Sequence, residues 1–155
     1  MPKEKFQLSQ TIRFLAKRLN VISGAGEATL AIELDPASVQ AGHILKATLK
    51  LRNVDKPRTL DYLAITMEGK VQRDGAWRAY TEGAEVAQNT KLQADHELVI
   101  PLELYVPEDA VLSRDGAPWR LEARAVLDRL IDPLARVDFE VLVQTDPSPF
   151  ATEEE

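Results

Sequence analysis

Residues 45–52 decide the fold, and they read Leu45-Lys46-Ala47-Thr48-Leu49-Lys50-Leu51-Arg52. Apolar and polar side chains alternate at every step. In an extended strand this places the apolar side chains on one face and the polar ones on the other. A helix would instead repeat its apolar residues every three or four positions. The stretch therefore predicts a half-buried β-strand.

The same period of two recurs along most of the chain. It predicts further strands at residues 28–34, 62–71, 98–106, 119–127 and 137–143. Asp74-Gly75 predicts a tight hairpin turn, from which residues 77–81 return. Residues 83–96 are polar, and within them 85–92 is predicted as a short strand. Seven or eight strands with almost no helix after residue 24 are typical of one antiparallel β-sandwich or barrel.

The strand register fixes which side chains face the core. Pro101 has no backbone N–H, so the strand at 98–106 is expected at a sheet edge or with a bulge. Nine side chains are predicted to point inward: Leu30, Ile32, Leu49, Ile65, Leu102, Trp119, Leu121, Phe139 and Val141.

The N-terminal residues follow a helical period. Within 7–22 the apolar residues form one stripe of an amphipathic helix, made of Leu8, Ile12, Leu15, Leu19 and Ile22. The glycines of residues 23–26 predict its end. The chain is thus divided into an amphipathic helix at 1–23, a sandwich at 24–145 and an acidic, disordered tail at 146–155.

Basic and aromatic side chains surround this apolar stripe. Residues 1–20 carry five Lys or Arg against Glu4 alone, a net charge of +4, whereas the whole chain carries −6. Three roles stay open for the helix: docking on the core of its own domain, binding a partner or a second copy to give a homodimer, and contact with a membrane surface. Five of its side chains lie off the stripe: Phe6, Arg13, Phe14, Lys17 and Arg18.

Composition excludes several functions. The net charge of −6 and the pI near 5.0 argue against nucleic acid, which binds clustered Lys and Arg. The absence of cysteine excludes a disulfide scaffold, a thiol nucleophile and thiolate metal ligands. No apolar run approaches the roughly 20 residues of a membrane span, and Arg13 interrupts any signal-peptide core. We therefore expect a cytoplasmic protein.

Sequence patterns for catalysis and metal binding are missing. His43 and His96 stand alone near predicted turns, where both are expected to be exposed, and a histidine metal site needs converging ligands. The acidic pairs Glu108-Asp109 and Asp115 with Asp132 belong to no motif that would fix a glycosidase or calcium geometry. No nucleophile elbow, phosphate loop or dinucleotide fingerprint occurs. The sequence predicts no enzyme, no metal and no cofactor.

Three stretches combine into a more specific pattern. The first, residues 117–123, reads Ala-Pro-Trp-Arg-Leu-Glu-Ala and leads on to Leu130-Ile131-Asp132-Pro133 and Asp138-Phe139-Glu140-Val141. The second joins Gly24–Ala28 to Gln40-Ala41-Gly42, and the third is Leu98–Pro107, closed by Leu-x-Val-Pro. Together they resemble the bacterial sporulation-control protein family. The resemblance implies an arrestin-like β-sandwich that acts by protein contact. Family members usually carry two such sandwiches, and this chain has room for one.

The predicted function is binding rather than chemistry. We expect a non-enzymatic protein-interaction or scaffold module of immunoglobulin/arrestin-like fold, which meets a protein partner through the basic helix or an exposed edge strand. The alternative is a small-ligand or carbohydrate-binding sandwich, in which Trp77 and Tyr80 form an aromatic platform. The candidate surface comprises Phe6, Leu8, Ile12, Arg13, Phe14, Lys17, Arg18, Trp77 and Tyr80.

Overall fold

The computed structural model describes residues 28–128, 130 and 132–149. Its strands are β1 (Ala28–Leu34), β2 (Ser38–Gln40), β3 (Ile44–Asn53), β4 (Arg58–Arg73), β5 (Ala76–Leu92), β6 (His96–Tyr105), β7 (Trp119–Leu127) and β8 (Leu134–Leu142). Within these ranges the only helical element is a short 3-10 turn at Ser113–Asp115. The all-β prediction is confirmed, and the helix predicted at 7–22 lies outside the described residues.

The strands form two sheets that pack face to face around one core. One sheet has the order β1-β3-β6, and its pairs are antiparallel. The other has the order β2-β8-β7-β4-β5, in which β2 and β8 run parallel and the remaining pairs antiparallel. The sandwich prediction is confirmed. The parallel strand β2 is not foreseen by the pattern, because a strand of three residues shows no period.

Side chains of both sheets meet in the apolar core. Eight of the nine residues predicted to face inward are buried there, and Trp119 is the largest of them. Its indole Nε1 donates to the Val111 carbonyl oxygen at 2.9 Å, which satisfies the one polar atom of the ring. The rings of Tyr80 and Phe139 flank it at centroid distances of 5.8 and 5.9 Å. Leu102, the ninth, is half-buried because it lies on an edge strand.

Pro101 lies on β6, at the edge of the three-stranded sheet, as its missing N–H requires. The ladder between β3 and β6 runs without a shift through the pair of Thr48 and Pro101. The backbone nitrogen of Pro101, which carries no hydrogen, therefore faces the free edge of the sheet. As a result, the row of backbone groups along this edge is interrupted near its middle.

The hairpin of β4 and β5 is longer than the sequence predicts. Asp74 and Gly75, with φ of 54° and 75°, form its turn, as expected for an Asp-Gly pair. The strand predicted at 77–81 and the separate one at 85–92 are a single strand, β5. Because β5 is the outer strand of its sheet and mostly exposed, no apolar alternation marks it in the sequence.

The residues that follow β8 are bound to the domain, where the sequence predicts the start of a disordered tail. The Gln40 side-chain oxygen accepts from the backbone N–H groups of Thr145 and Asp146 at 2.9 and 3.1 Å. Ser148 is buried, and its hydroxyl donates to the Gly42 carbonyl oxygen at 2.7 Å. The ordered domain therefore extends at least to Ser148, beyond the boundary predicted at residue 145. Residues 150–155 lie outside the described chain.

Candidate interaction surfaces

Only part of the predicted interaction surface lies in the described chain. Its seven residues between Phe6 and Arg18 lie outside. Trp77 and Tyr80 are both on β5, three positions apart in a register without a break between them. Successive side chains of a strand point to opposite faces, so the sheet separates these two rings. The aromatic platform expected for a sugar or small ligand is therefore not formed.

Tyr80 faces the core. Its ring packs against Trp119, and its hydroxyl donates to the Glu82 carboxylate at 2.9 Å. Burial and this hydrogen bond raise the pKa of Tyr80 to about 12, because both favour the neutral phenol. Tyr80 is thus a core residue at the margin of the sheet.

Trp77 lies on the opposite face, near the end of the hairpin. Its side chain is 47% exposed, and its partner across the hairpin is the exposed Gln72. Scattered exposed apolar residues are normal on protein surfaces, but tryptophan is enriched among the residues that dominate binding energy. Trp77 is therefore the aromatic side chain best placed to contact a partner in the part of the chain that the structure describes.

The segment between β6 and the 3-10 turn holds the end of this hairpin. The Gln72 N–H donates to the Asp109 carbonyl oxygen at 2.8 Å. The Arg73 Nε donates to the Asp109 carboxylate at 2.7 Å, and this contact raises the pKa of Arg73. A β-bridge joins Val71 to the same segment. Trp77 is therefore located on a hairpin whose end is held in place by these contacts.

A groove, here called the seam groove, lies between the free edges of β5 and β6. The groove is open to solvent and has a volume of about 250 Å³. Its floor consists of the buried core residues Ile65, Met67 and Leu121. Ala84 of β5 and Leu104 of β6 stand on its two walls. The floor of the groove is buried, whereas Leu104 on its wall is half-buried.

The seam groove is not predicted from the sequence, although the sequence contains a signal for it. Pro101 places β6 at an edge, and an edge strand has a neighbour on one side only. An apolar row on such a strand is therefore covered less well than the same row on a central strand. The four inner side chains of β6 are indeed half-buried: Leu98, Ile100, Leu102 and Leu104.

The outer face of the five-stranded sheet is polar around the pairing of β7 and β8. Arg120 of β7 contacts Asp138 of β8 at 3.1 Å, and Arg136 of β8 contacts Glu122 of β7 at 3.0 Å. Such exposed cross-strand pairs are screened by water and add little stability. Around β7 and β8 this face is a solvated surface with cross-strand ion pairs.

The two histidines lie at opposite ends of the three-stranded sheet. The His43 carbonyl oxygen accepts from Val106, whereas His96 pairs with Asn53 at the other end. The prediction that both are exposed is wrong, since each is half-buried and His43 Nε2 lies 3.0 Å from the Asp146 carbonyl oxygen. Across the described ranges no three His, Cys, Asp or Glu side chains converge as metal ligands. Nor do those ranges contain a helix with the length and apolarity needed to cross a membrane.

Comparison with known proteins places the fold. No protein-family model matches the sequence, and no curated protein sequence matches it. Among solved structures, the crystal structure of Spo0M, a sporulation control protein from Bacillus subtilis, is similar with a TM-score of 0.64 and 13% sequence identity. The match covers 77% of this chain and 51% of that one, so it spans about half of that protein. The chain therefore has an arrestin-like β-sandwich fold, similar to the fold of a sporulation control protein.

Proposed function

We propose that this chain is a non-enzymatic, regulatory protein-interaction module, and that Trp77 anchors its binding surface. The observation that carries the proposal is that the indole of Trp77 is 47% exposed at the end of a hairpin that Asp109 holds in place. The similarity in fold to a sporulation control protein supports a regulatory role.

The position of Trp77 suits a binding anchor for two physical reasons. An indole buries a large area with few rotatable bonds, so little side-chain entropy is lost when a partner covers it. The contacts of Asp109 with Gln72 and Arg73 order the hairpin end in advance, which lowers the ordering cost of binding. Gln72 and Ala79, the nearest positions on the same face, are exposed, and the indole stays accessible.

The test compares Trp77→Ala with Leu142→Ala in the full chain. Leu142 is 39% exposed on β8, which is three strands away from β5, so it is a matched apolar control. Proteins captured from native lysate by the wild-type chain are identified, and their affinities for each variant are then measured by titration. We expect Trp77→Ala to weaken binding by roughly 30-fold or more, as for a hot-spot residue worth about 2 kcal/mol.

Leu142→Ala should bind like the wild type, and both variants should keep its Tm because both side chains are exposed. Equal affinity of the Trp77→Ala variant would remove Trp77 from the binding surface. A wild-type chain that captures no protein saturably would contradict the proposed function itself.

A further inference from the structure

The inner row of β6 is incompletely covered. Its members Leu98, Ile100, Leu102 and Leu104 are half-buried, whereas the inner row of the neighbouring β3 is fully buried. On the outer face of the same strand, Val99 and Tyr105 are 48% and 40% exposed. β6 is therefore a free edge with a half-buried apolar inner row, and its outer face carries exposed apolar side chains among carboxylates, which is the kind of surface that proteins cover.

An added β-strand would pair poorly with the two strand edges that border the seam groove. Pro101 offers no N–H at the middle of the free edge of β6, so a strand that paired there would lose a hydrogen bond. The facing edge of β5 is irregular as well. Val86 is an extra residue where the register to β4 shifts, and Asn89 has a φ of 48°. An amphipathic helix packs through side chains and needs no backbone donors from either edge.

The segment that precedes β1 has the pattern and the length for this groove. Its apolar stripe recurs at helical spacing from Leu8 to Ile22. In a helix these residues span about 21 Å. The row from Leu98 to Leu104 spans about 20 Å along β6. The two apolar surfaces therefore match in length.

The chain also enters the sandwich at a suitable place. Ala28 is paired with Asn53, which is paired with His96, so the first described residue lies at the same end of the sheet as the start of β6. Two strand spacings, about 10 Å, separate Ala28 from His96. Residues 23–27 can bridge up to roughly 20 Å when extended. A helix that ends near residue 22 can thus lie along β6.

The segment and the edges of the groove carry opposite charges. Residues 1–20 contain five Lys or Arg against Glu4 alone. Between residues 79 and 105, which include most of β5 and all of β6, Lys91 is the only Lys or Arg. Coulombic attraction therefore adds to the apolar match. Four carboxylates stand on the two edge strands there: Glu82, Glu85, Glu97 and Glu103.

We infer that residues 7–22 form an amphipathic helix that docks in the seam groove of the same chain. The stripe from Leu8 to Ile22 packs on the inner row of β6, and the cations on the other faces lie toward the carboxylates of β5 and β6. The docked helix covers the half-buried inner row of β6 and the seam groove that adjoins it at Leu104. It leaves the outer face around Trp77 accessible, so this inference and the proposed function can fail independently.

Disulfide trapping in the full chain tests this docking, since the native sequence has no cysteine. The variant with Leu15→Cys and Leu102→Cys places one thiol at the middle of the stripe and one at the middle of the row. Under mild oxidation we expect a disulfide within one chain, seen as a monomer that loses both free thiols. The control variant with Leu15→Cys and Leu142→Cys should stay reduced, because β8 lies away from the groove.

Three outcomes of the trapping experiment would overturn the inference. A disulfide between two chains would show that a second copy covers the groove. Free thiols in both variants would show that the segment does not dock there. Equal trapping of both cysteine pairs would show a segment without a fixed position.

Hydrogen exchange provides a second test that leaves the sandwich residues unchanged. The full chain with Ile12→Glu and Leu19→Glu puts two charges on the stripe. The amides of β6 should then exchange about tenfold faster or more, while those of β7 keep their rates. The control with Gln7→Glu and Gln10→Glu adds the same charge off the stripe and should match the wild type. Unchanged exchange of β6 in the stripe variant would count against the docking, even if the cysteine variants fail to fold.

Discussion

The α-carbon of Gly69 lies directly against the indole ring of Trp119. A Cβ atom at this position would overlap ring atoms Cδ2, Cε3 and Cζ3 of the tryptophan. Gly69 is on β4 opposite Tyr80, whose own ring flanks Trp119. The missing side chain of Gly69 thus provides the space that the largest core residue occupies.

We expect Gly69→Ala to lower the free energy of unfolding by about 1–3 kcal/mol, because the indole must move to accept the methyl group. Urea unfolding measures the change. Gly83→Ala on β5 is the matched control, since its methyl group would meet the Ile65 carbonyl oxygen and the Thr66 hydroxyl at 3.2 Å, a contact that a small shift relieves. Equal losses in the two variants would contradict the packing described for Trp119.

Trp119 combines bulk with a hydrogen bond, and two variants separate these contributions. Trp119→Ala should cost roughly 3–5 kcal/mol, because it leaves a cavity in the core. Trp119→Phe keeps much of the ring but leaves the Val111 carbonyl oxygen without its donor, so an intermediate loss of about 1–3 kcal/mol is expected. Trp77→Ala serves as the exposed control. Near-wild-type unfolding of Trp119→Ala would refute the strand register.

Tyr80 should make the fold less stable in strong alkali. Its pKa is raised to about 12 by burial and by the hydrogen bond to Glu82, compared with about 10 in an unfolded chain. Between these values the folded state keeps a proton that the unfolded state has lost. The free energy of unfolding therefore falls as the pH rises from about 10 to about 12. Below about pH 10 the stabilisation contributed by Tyr80 is fully present.

The measurement is urea unfolding of the wild type, Tyr80→Phe and Trp77→Ala between about pH 9 and pH 12. Tyr80→Phe should show a shallower decline than the wild type. Trp77→Ala, an exposed substitution that removes no titratable group, should retain the wild-type slope. The assignment to Tyr80 fails if its variant declines as steeply as the wild type.

Metal ions, chelators and nucleotides are expected to leave the Tm unchanged. His43 and His96 lie at opposite ends of one sheet, so they cannot share a metal ion. A ligand at about 100 times its Kd would stabilise the native state by roughly 2.7 kcal/mol, which thermal melts detect easily. A clear increase in Tm with Zn²⁺, Ca²⁺ or ATP, or a decrease with EDTA, would reveal a site.

The sequence predicts the strands that have one face on the core, including the edge strands β1 and β6, but it divides β5 into two strands and misses β2. β3 and β7 each have one face on the core and one in water, and this difference produces the alternation from which they are recognised. β5 is paired on one side only and is mostly exposed. Because most of its side chains contact water on either face, apolar and polar residues do not alternate along it. β2 gains its place from pairing with a strand at the far end of the chain, which no local pattern encodes.

The candidate site is less predictable than the fold. The sequence singles out Trp77 as a large aromatic beside a turn, and the structure finds it exposed. Both Trp77 and Tyr80 lie in the strand predicted at 77–81, so the period of two already places their rings on opposite faces. Which of the two faces the core depends on the sheet that β5 joins, and the sequence does not give that. The seam groove arises from two strand edges meeting across the sandwich, so it depends on the arrangement of the sheets rather than on any motif.

The pairing of β2 with β8 also bears on the order in which the chain folds. It joins residue 38 to residue 140, whereas β4 and β5 are linked by a two-residue turn. Local contacts close short loops and form early, while distant pairings must wait for long loops to close. Pulsed hydrogen exchange during refolding should therefore find the amides of β4 and β5 protected well before those of β2. During synthesis, β2 can pair only after β8 has left the ribosome. The sandwich is therefore completed late, after nearly all of the domain has been synthesised.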